Sequence, residues 1–159
     1  MISELNDVTG RRGEGIAELC LTGYLAFGKP LFHATSLGEK WPSTDFYVEL
    51  DGVPGKSLYF LAQVKTTTSA LTATCLCIST KKRDIDRLLR IPAPTYLLGV
   101  HEPTKKAFVR SVHTGTPVKA ITRIPLSYEL TNANLQILHN EVRDYWATTG
   151  HKPTSSAFA

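Results

Sequence analysis

The chain has 159 residues, 42% of them hydrophobic and 20% charged, with a formal net charge of +4. That length and balance suit one domain with a real core and exclude a disordered or fibrous chain. The mild excess of base admits a nucleic-acid partner without demanding one.

Residues 1–7 are polar and acidic, so no signal peptide is expected there. Residues 11–26 read as a helix, with Ile16, Leu19, Leu21 and Leu25 at roughly helical spacing. Gly28-Lys29-Pro30 ends it. Residues 31–35 read as a short strand, and 37–43 as a loop carrying Trp41. Residues 46–50 and 57–67 are rich in β-branched and aromatic side chains and read as strands joined by a turn at 51–55. Residues 73–79 read as a third strand, and 81–90 as a helix with Ile85, Leu88 and Leu89 on one face. Strands at 96–101 and 107–112 follow, then an edge strand at 118–123 and a closing helix at 130–147. The helix turns Leu135, Leu138, Val142 and Tyr145 inward, and Tyr145 with Trp146 anchors it. The expected fold is α/β, a mixed central sheet flanked by helices. A single domain is expected over 1–153, with a flexible tail at 154–159.

No apolar run approaches the roughly 18 residues of a membrane span, so no membrane partner is expected. The odd cysteine count (Cys20, Cys75, Cys77) points to reduced thiols and a cytoplasmic protein. Cys75 and Cys77 are one residue apart, unlike a CxxC site, and all three read as small buried hydrophobes. The five histidines share no metal-ligand spacing.

Candidate chemistry gathers around Asp45 and Gln63-Val64-Lys65. Side chains alternate along a strand, so Gln63 and Lys65 share a face opposite Phe60, Ala62 and Val64. A turn centred near Pro54 sets residue 45 opposite residue 63, which brings Asp45, Gln63 and Lys65 to one end of the hairpin. A carboxylate and an amide oxygen are hard ligands for Mg²⁺ or Mn²⁺. A lysine beside such a cation can orient water or stabilise a charged transition state. Glu14 and Glu18 are one turn apart on the first helix, and either can complete the shell. Tyr47 shares the Asp45 face, and Trp41 can stack on a base. The hydroxyls of Thr66 and Thr67 and the basic run Lys81-Lys82-Arg83 are candidate contacts for a nucleic-acid backbone. Taken singly, each feature also reads as a turn residue, a solvated strand face or a charged helix end.

The succession of a helix with Gly13-Glu14, a strand entered at Asp45, a return through Gln63-Val64-Lys65, then helix and strand resembles the PD-(D/E)xK nuclease superfamily. Within it, the chain is similar to an uncharacterised bacterial nuclease-like domain family related to Mrr-type restriction endonucleases. The likeness covers roughly residues 10–113. It implies a restriction-endonuclease-like αβββαβ core with extra strands and a C-terminal helix. It also implies a metal-dependent nuclease acting on DNA, as a homodimer or with a protein partner for targeting. Carried onto this chain, Asp45 is the metal-binding acid, Gln63 the second ligand, Lys65 the catalytic lysine and Glu14, directly after Gly13, the helix glutamate. Gln63 stands where most of the superfamily has an acid, as the Mrr-like branch allows, and it removes one negative charge. The alternative is therefore a catalytically inactive nucleic-acid- or protein-binding module of the same fold.

Overall fold

A computed structural model describes residues 2–23, 28–112 and 120–149. Helix α1 (Ile2–Leu21) leads into strands β1 (Phe32–Ser36), β2 (Phe46–Leu50) and β3 (Tyr59–Thr67). A short strand β4 (Cys75–Cys77), helix α2 (Lys82–Leu89), and strands β5 (Thr95–His101), β6 (Lys106–Ser111) and β7 (Arg123–Pro125) follow, and α3 (Asn132–Thr149) closes the chain.

Five strands form one mixed sheet in the order β1-β2-β3-β5-β6. β1, β2 and β3 make an antiparallel meander, β5 runs parallel to β3, and β6 returns antiparallel. The parallel step needs a long crossover, which β4 and α2 provide. Every residue of β5 is buried, as expected of a strand covered on both faces.

The two faces have separate cores. On one, α1 and α3 cover Phe46, Val48, Phe60, Ala62 and Leu98. On the other, Ile85 and Leu88 of α2 join Leu76 and Ile124 over Leu97 and Phe108. Thr131 caps α3, its hydroxyl accepting the Asn134 N–H at 3.3 Å. Trp146 anchors the far end of α3 by donating its indole N–H to the Tyr59 carbonyl at 2.7 Å.

Several expectations need correction. α1 begins at Ile2 rather than residue 11; residues 4–8 lie exposed, so hydrophobic spacing carries no sign of these first turns. The expected helix residues 24–26 lie outside the described residues, as does the tail 154–159. The strand expected at 73–79 shortens to Cys75–Cys77 and leaves the main sheet, pairing with β7 in a two-stranded ribbon. The three strands before α2 in the main sheet are instead β1, β2 and β3. Of the edge strand expected at 118–123, residues 118 and 119 lie outside the described residues, and the observed strand begins at Arg123. Leu89 is exposed rather than packed with Leu88. All three cysteines are partly exposed, not buried. Among the described residues no helix is long and apolar enough to cross a membrane.

Candidate metal centre and phosphate cleft

β2 pairs with β3 from Phe46 opposite Ala62 to Glu49 opposite Tyr59, a hairpin centred on Pro54. The register ends there: the Asp45 N–H donates at 2.9 Å to the carbonyl of Ala62, the residue that already faces Phe46, so residues 45 and 46 both oppose Ala62 rather than 45 facing 63. Asp45 and Gln63 nevertheless line one cleft, on the sheet face that α2 covers. The Asp45 carboxylate is fixed by the Val64 N–H, which donates to Oδ2 at 2.6 Å.

Burial pushes the Asp45 carboxyl above the usual carboxylate range. The Val64 N–H and the Lys65 charge pull it back, and the Asp84 charge pushes it up again. Glu14, half-buried on α1, is also raised, first by burial and then by the Asp45 charge, against the lowering effect of Arg11. The Asp45 charge felt at Glu14 puts the two carboxylates in one electrostatic neighbourhood. Glu18, one turn on, is exposed and is not among the residues that line the cleft around Asp45.

Gln63 is 4% exposed, and its Oε1 is buried without a hydrogen-bond partner. An orphaned buried acceptor is costly unless something occupies it. A hard divalent cation suits this oxygen together with the Asp45 carboxylate. Among the described residues no three His, Cys, Asp or Glu side chains converge on one point. The donor set is therefore carboxylate and amide, with Glu14 nearby.

These groups open into a cleft of about 740 Å³. Its acids are Glu14, Asp45, Asp84 and, at the exposed rim, Glu39, and the cations Arg11, Lys81, Arg83 and Arg87 are exposed around them. Lys65 reaches in from β3, with its Nζ 3.7 Å from Asp84 Oδ2. Partly buried acids beneath exposed cations suit a phosphodiester bound through a metal and gripped by its flanking phosphates.

The structure brings Asp45, Gln63, Lys65, Glu14, Lys81, Arg83 and Trp41 into this cleft. It places other candidates elsewhere. Thr66 lies on the opposite face of β3, against Gly13 of α1. The Thr67 hydroxyl accepts the Ser69 N–H at 3.1 Å. Lys82 pairs with Asp86 at 2.6 Å. Tyr47 stacks on Tyr59 and bonds Glu49 rather than lining the site. Arg11, Ser43, Asp84 and Arg87 were not singled out from sequence. In sequence Asp84 is one more charge in a polar helix start, and nothing local says which way that helix turns it.

No family model, no curated protein and no solved structure matches this chain. The fold is a mixed α/β domain with helices on a five-stranded sheet.

Proposed function

We propose that the chain is a metal-dependent phosphodiesterase of the PD-(D/E)xK type, cleaving DNA with an activated water. The observation that carries this reading is the convergence of Asp45, the unpartnered Gln63 Oε1 and Lys65 at one end of the β2–β3 hairpin, inside a cleft edged by arginines. The order of α1, the β1–β3 meander, α2 and a parallel β5 supports assigning the restriction-endonuclease-like core.

Asp45 and Gln63 would hold Mg²⁺ or Mn²⁺, with Glu14 directly or through water. When bound, the cation supplies a water of lowered pKa and neutralises phosphate charge. Lys65 orients that water and stabilises the charge that develops on the phosphate oxygens. Arg83 and Arg87 grip the neighbouring backbone. The water gives a proton to solvent as its oxygen bonds to phosphorus, one P–O ester bond breaks, and the leaving oxygen takes a proton from solvent. Cutting both strands of a duplex takes two such sites, so a homodimer or a targeting partner belongs to this reading.

The test is cleavage of DNA with Mg²⁺ or Mn²⁺ by the parent chain, Asp45→Ala and Lys65→Ala. The parent is expected to cut only with metal, and both variants to lose activity. Variants that cut as well as the parent would place the chemistry elsewhere. The neutrality of Gln63 favours a second reading, a non-catalytic module that binds nucleic acid. Calorimetry with Mn²⁺ separates the two: absent metal binding with salt-sensitive DNA binding retained supports the module.

A further inference from the structure

We propose that Asp84 is a positioning residue that holds the Lys65 ammonium in the cleft and ties it to the loop entering β2. The meaning of Lys65 rests on the phosphodiesterase reading; the contacts do not.

Asp84 lies in the first turn of α2 and is only 7% exposed. A carboxylate so buried needs partners. The Ser43 hydroxyl donates to Oδ1 at 2.9 Å. The Arg83 Nε lies 3.7 Å from the same oxygen, on a side chain that is mostly in solvent. Oδ2 faces Lys65, whose Nζ is 3.7 Å away. The carboxylate thus divides its oxygens between the loop and the lysine.

Ser43 has φ 62, in the left-handed region that few non-glycine residues adopt. It stands two residues before Asp45, which starts its strand pairing with an N–H to the Ala62 carbonyl. Such backbone conformations persist where surrounding contacts hold them. The Ser43–Asp84 hydrogen bond is one such contact. Asp84 therefore joins two elements whose spacing the site depends on: the loop that delivers the metal-binding acid, and the strand that carries the lysine. A lysine on four rotatable bonds otherwise samples many positions. A carboxylate serving only the α2 dipole would not need to face β3.

The experiment measures Lys65 side-chain order by NMR in full-length chain with ¹³C-labelled lysine, with exposed Lys56 as reference. Asp84→Asn keeps the size and an acceptor for Ser43 but removes the charge. It is expected to bring Lys65 to the mobility of Lys56, with the rest of the amide spectrum unchanged. Asp84→Glu is expected to restore part of the order. With Mn²⁺ and DNA, Asp84→Asn should lower kcat roughly 10–100-fold with KM and Mn²⁺ affinity within about twofold. If Asp84→Asn does not fold, Ser43→Ala, which leaves every charge in place, should loosen Lys65 partway. Lys65 as ordered in these variants as in the parent overturns the proposal. So does an approximately tenfold loss of Mn²⁺ affinity in Asp84→Asn, which would make Asp84 a ligand. A parent chain that cuts no DNA would sink the phosphodiesterase reading, while Lys65 mobility still decides the role of Asp84.

Discussion

Gly13 of α1 lies directly on Thr66 of β3. A Cβ at position 13 would come within 2.8 Å of the Thr66 Cβ and 2.9 Å of its Cγ2, closer than real side chains approach. The missing side chain lets the helix settle onto the strand, and the next residue, Glu14, then faces the cleft with Asp45. Gly13→Ala is expected to destabilise the protein by about 1–3 kcal/mol, as overpacking does. Thr66→Ala in the same chain should recover part of that loss, since it removes Cγ2 and the hydroxyl but not Cβ. Denaturant unfolding of the two single variants and the double variant measures the coupling.

The raised Asp45 and Glu14 carboxyls set a pH dependence. An acid whose folded pKa lies above its unfolded one contributes stability while protonated, and that contribution is lost as pH rises through the folded pKa. Ionised Asp45 therefore costs stability at neutral pH. Asp45→Asn, whose amide oxygen can still accept the Val64 N–H, is expected to raise Tm at neutral pH while abolishing metal binding. The gain should vanish below the ordinary carboxylate range. Metal binding, which needs both acids ionised, should fail at a higher pH than unperturbed carboxylates would dictate. Melting curves and Mn²⁺ titrations across pH check both signs.

Gln63→Glu returns the missing charge at a position with almost no access to solvent. Mn²⁺ affinity is expected to rise by roughly tenfold, about 1.4 kcal/mol. The metal-free variant should be less stable than the parent, because its new carboxylate is buried beside Asp45. Calorimetry with paired unfolding curves tests the trade. An unchanged affinity would mean that Gln63 Oε1 is not a ligand.

Arg83 and Arg87 are exposed at the cleft and stand where flanking phosphates would run. Arg83→Ala and Arg87→Ala should each weaken DNA binding across sequences and reduce the log–log salt slope by about 1. Lys82→Ala, whose partner is Asp86, should leave the slope unchanged. Binding isotherms over a range of salt concentrations separate these outcomes.

Local rules made part of this site legible. Strand parity puts Gln63 and Lys65 on one face, and a turn centred on Pro54 sets the register up to Phe46 opposite Ala62, which brings Asp45 to the same end of the hairpin. Both are short-range consequences of period-two geometry. Asp84 was invisible for the opposite reason, since its approach to Lys65 depends on how α2 crosses from β3 to β5. β4 reads locally as another sheet strand. It is the tertiary pairing of Leu76 with Ile124, above a Gly99 that leaves room for both side chains, that draws it away. The first turns of α1 carry no buried stripe, so hydrophobic spacing could not find them. Thr66 follows Lys65 in sequence but, one step out of phase, belongs to the other face of the sheet.

The central claim is that Asp45 and Gln63 hold a divalent cation beside Lys65. Paramagnetic broadening by substoichiometric Mn²⁺ in an amide NMR spectrum tests it most directly. The Gln63 side-chain amide and the Val64 backbone amide are expected to broaden first, and Asp45→Asn is expected to abolish the effect. Broadening centred elsewhere in the fold, or none at these two groups, would contradict it.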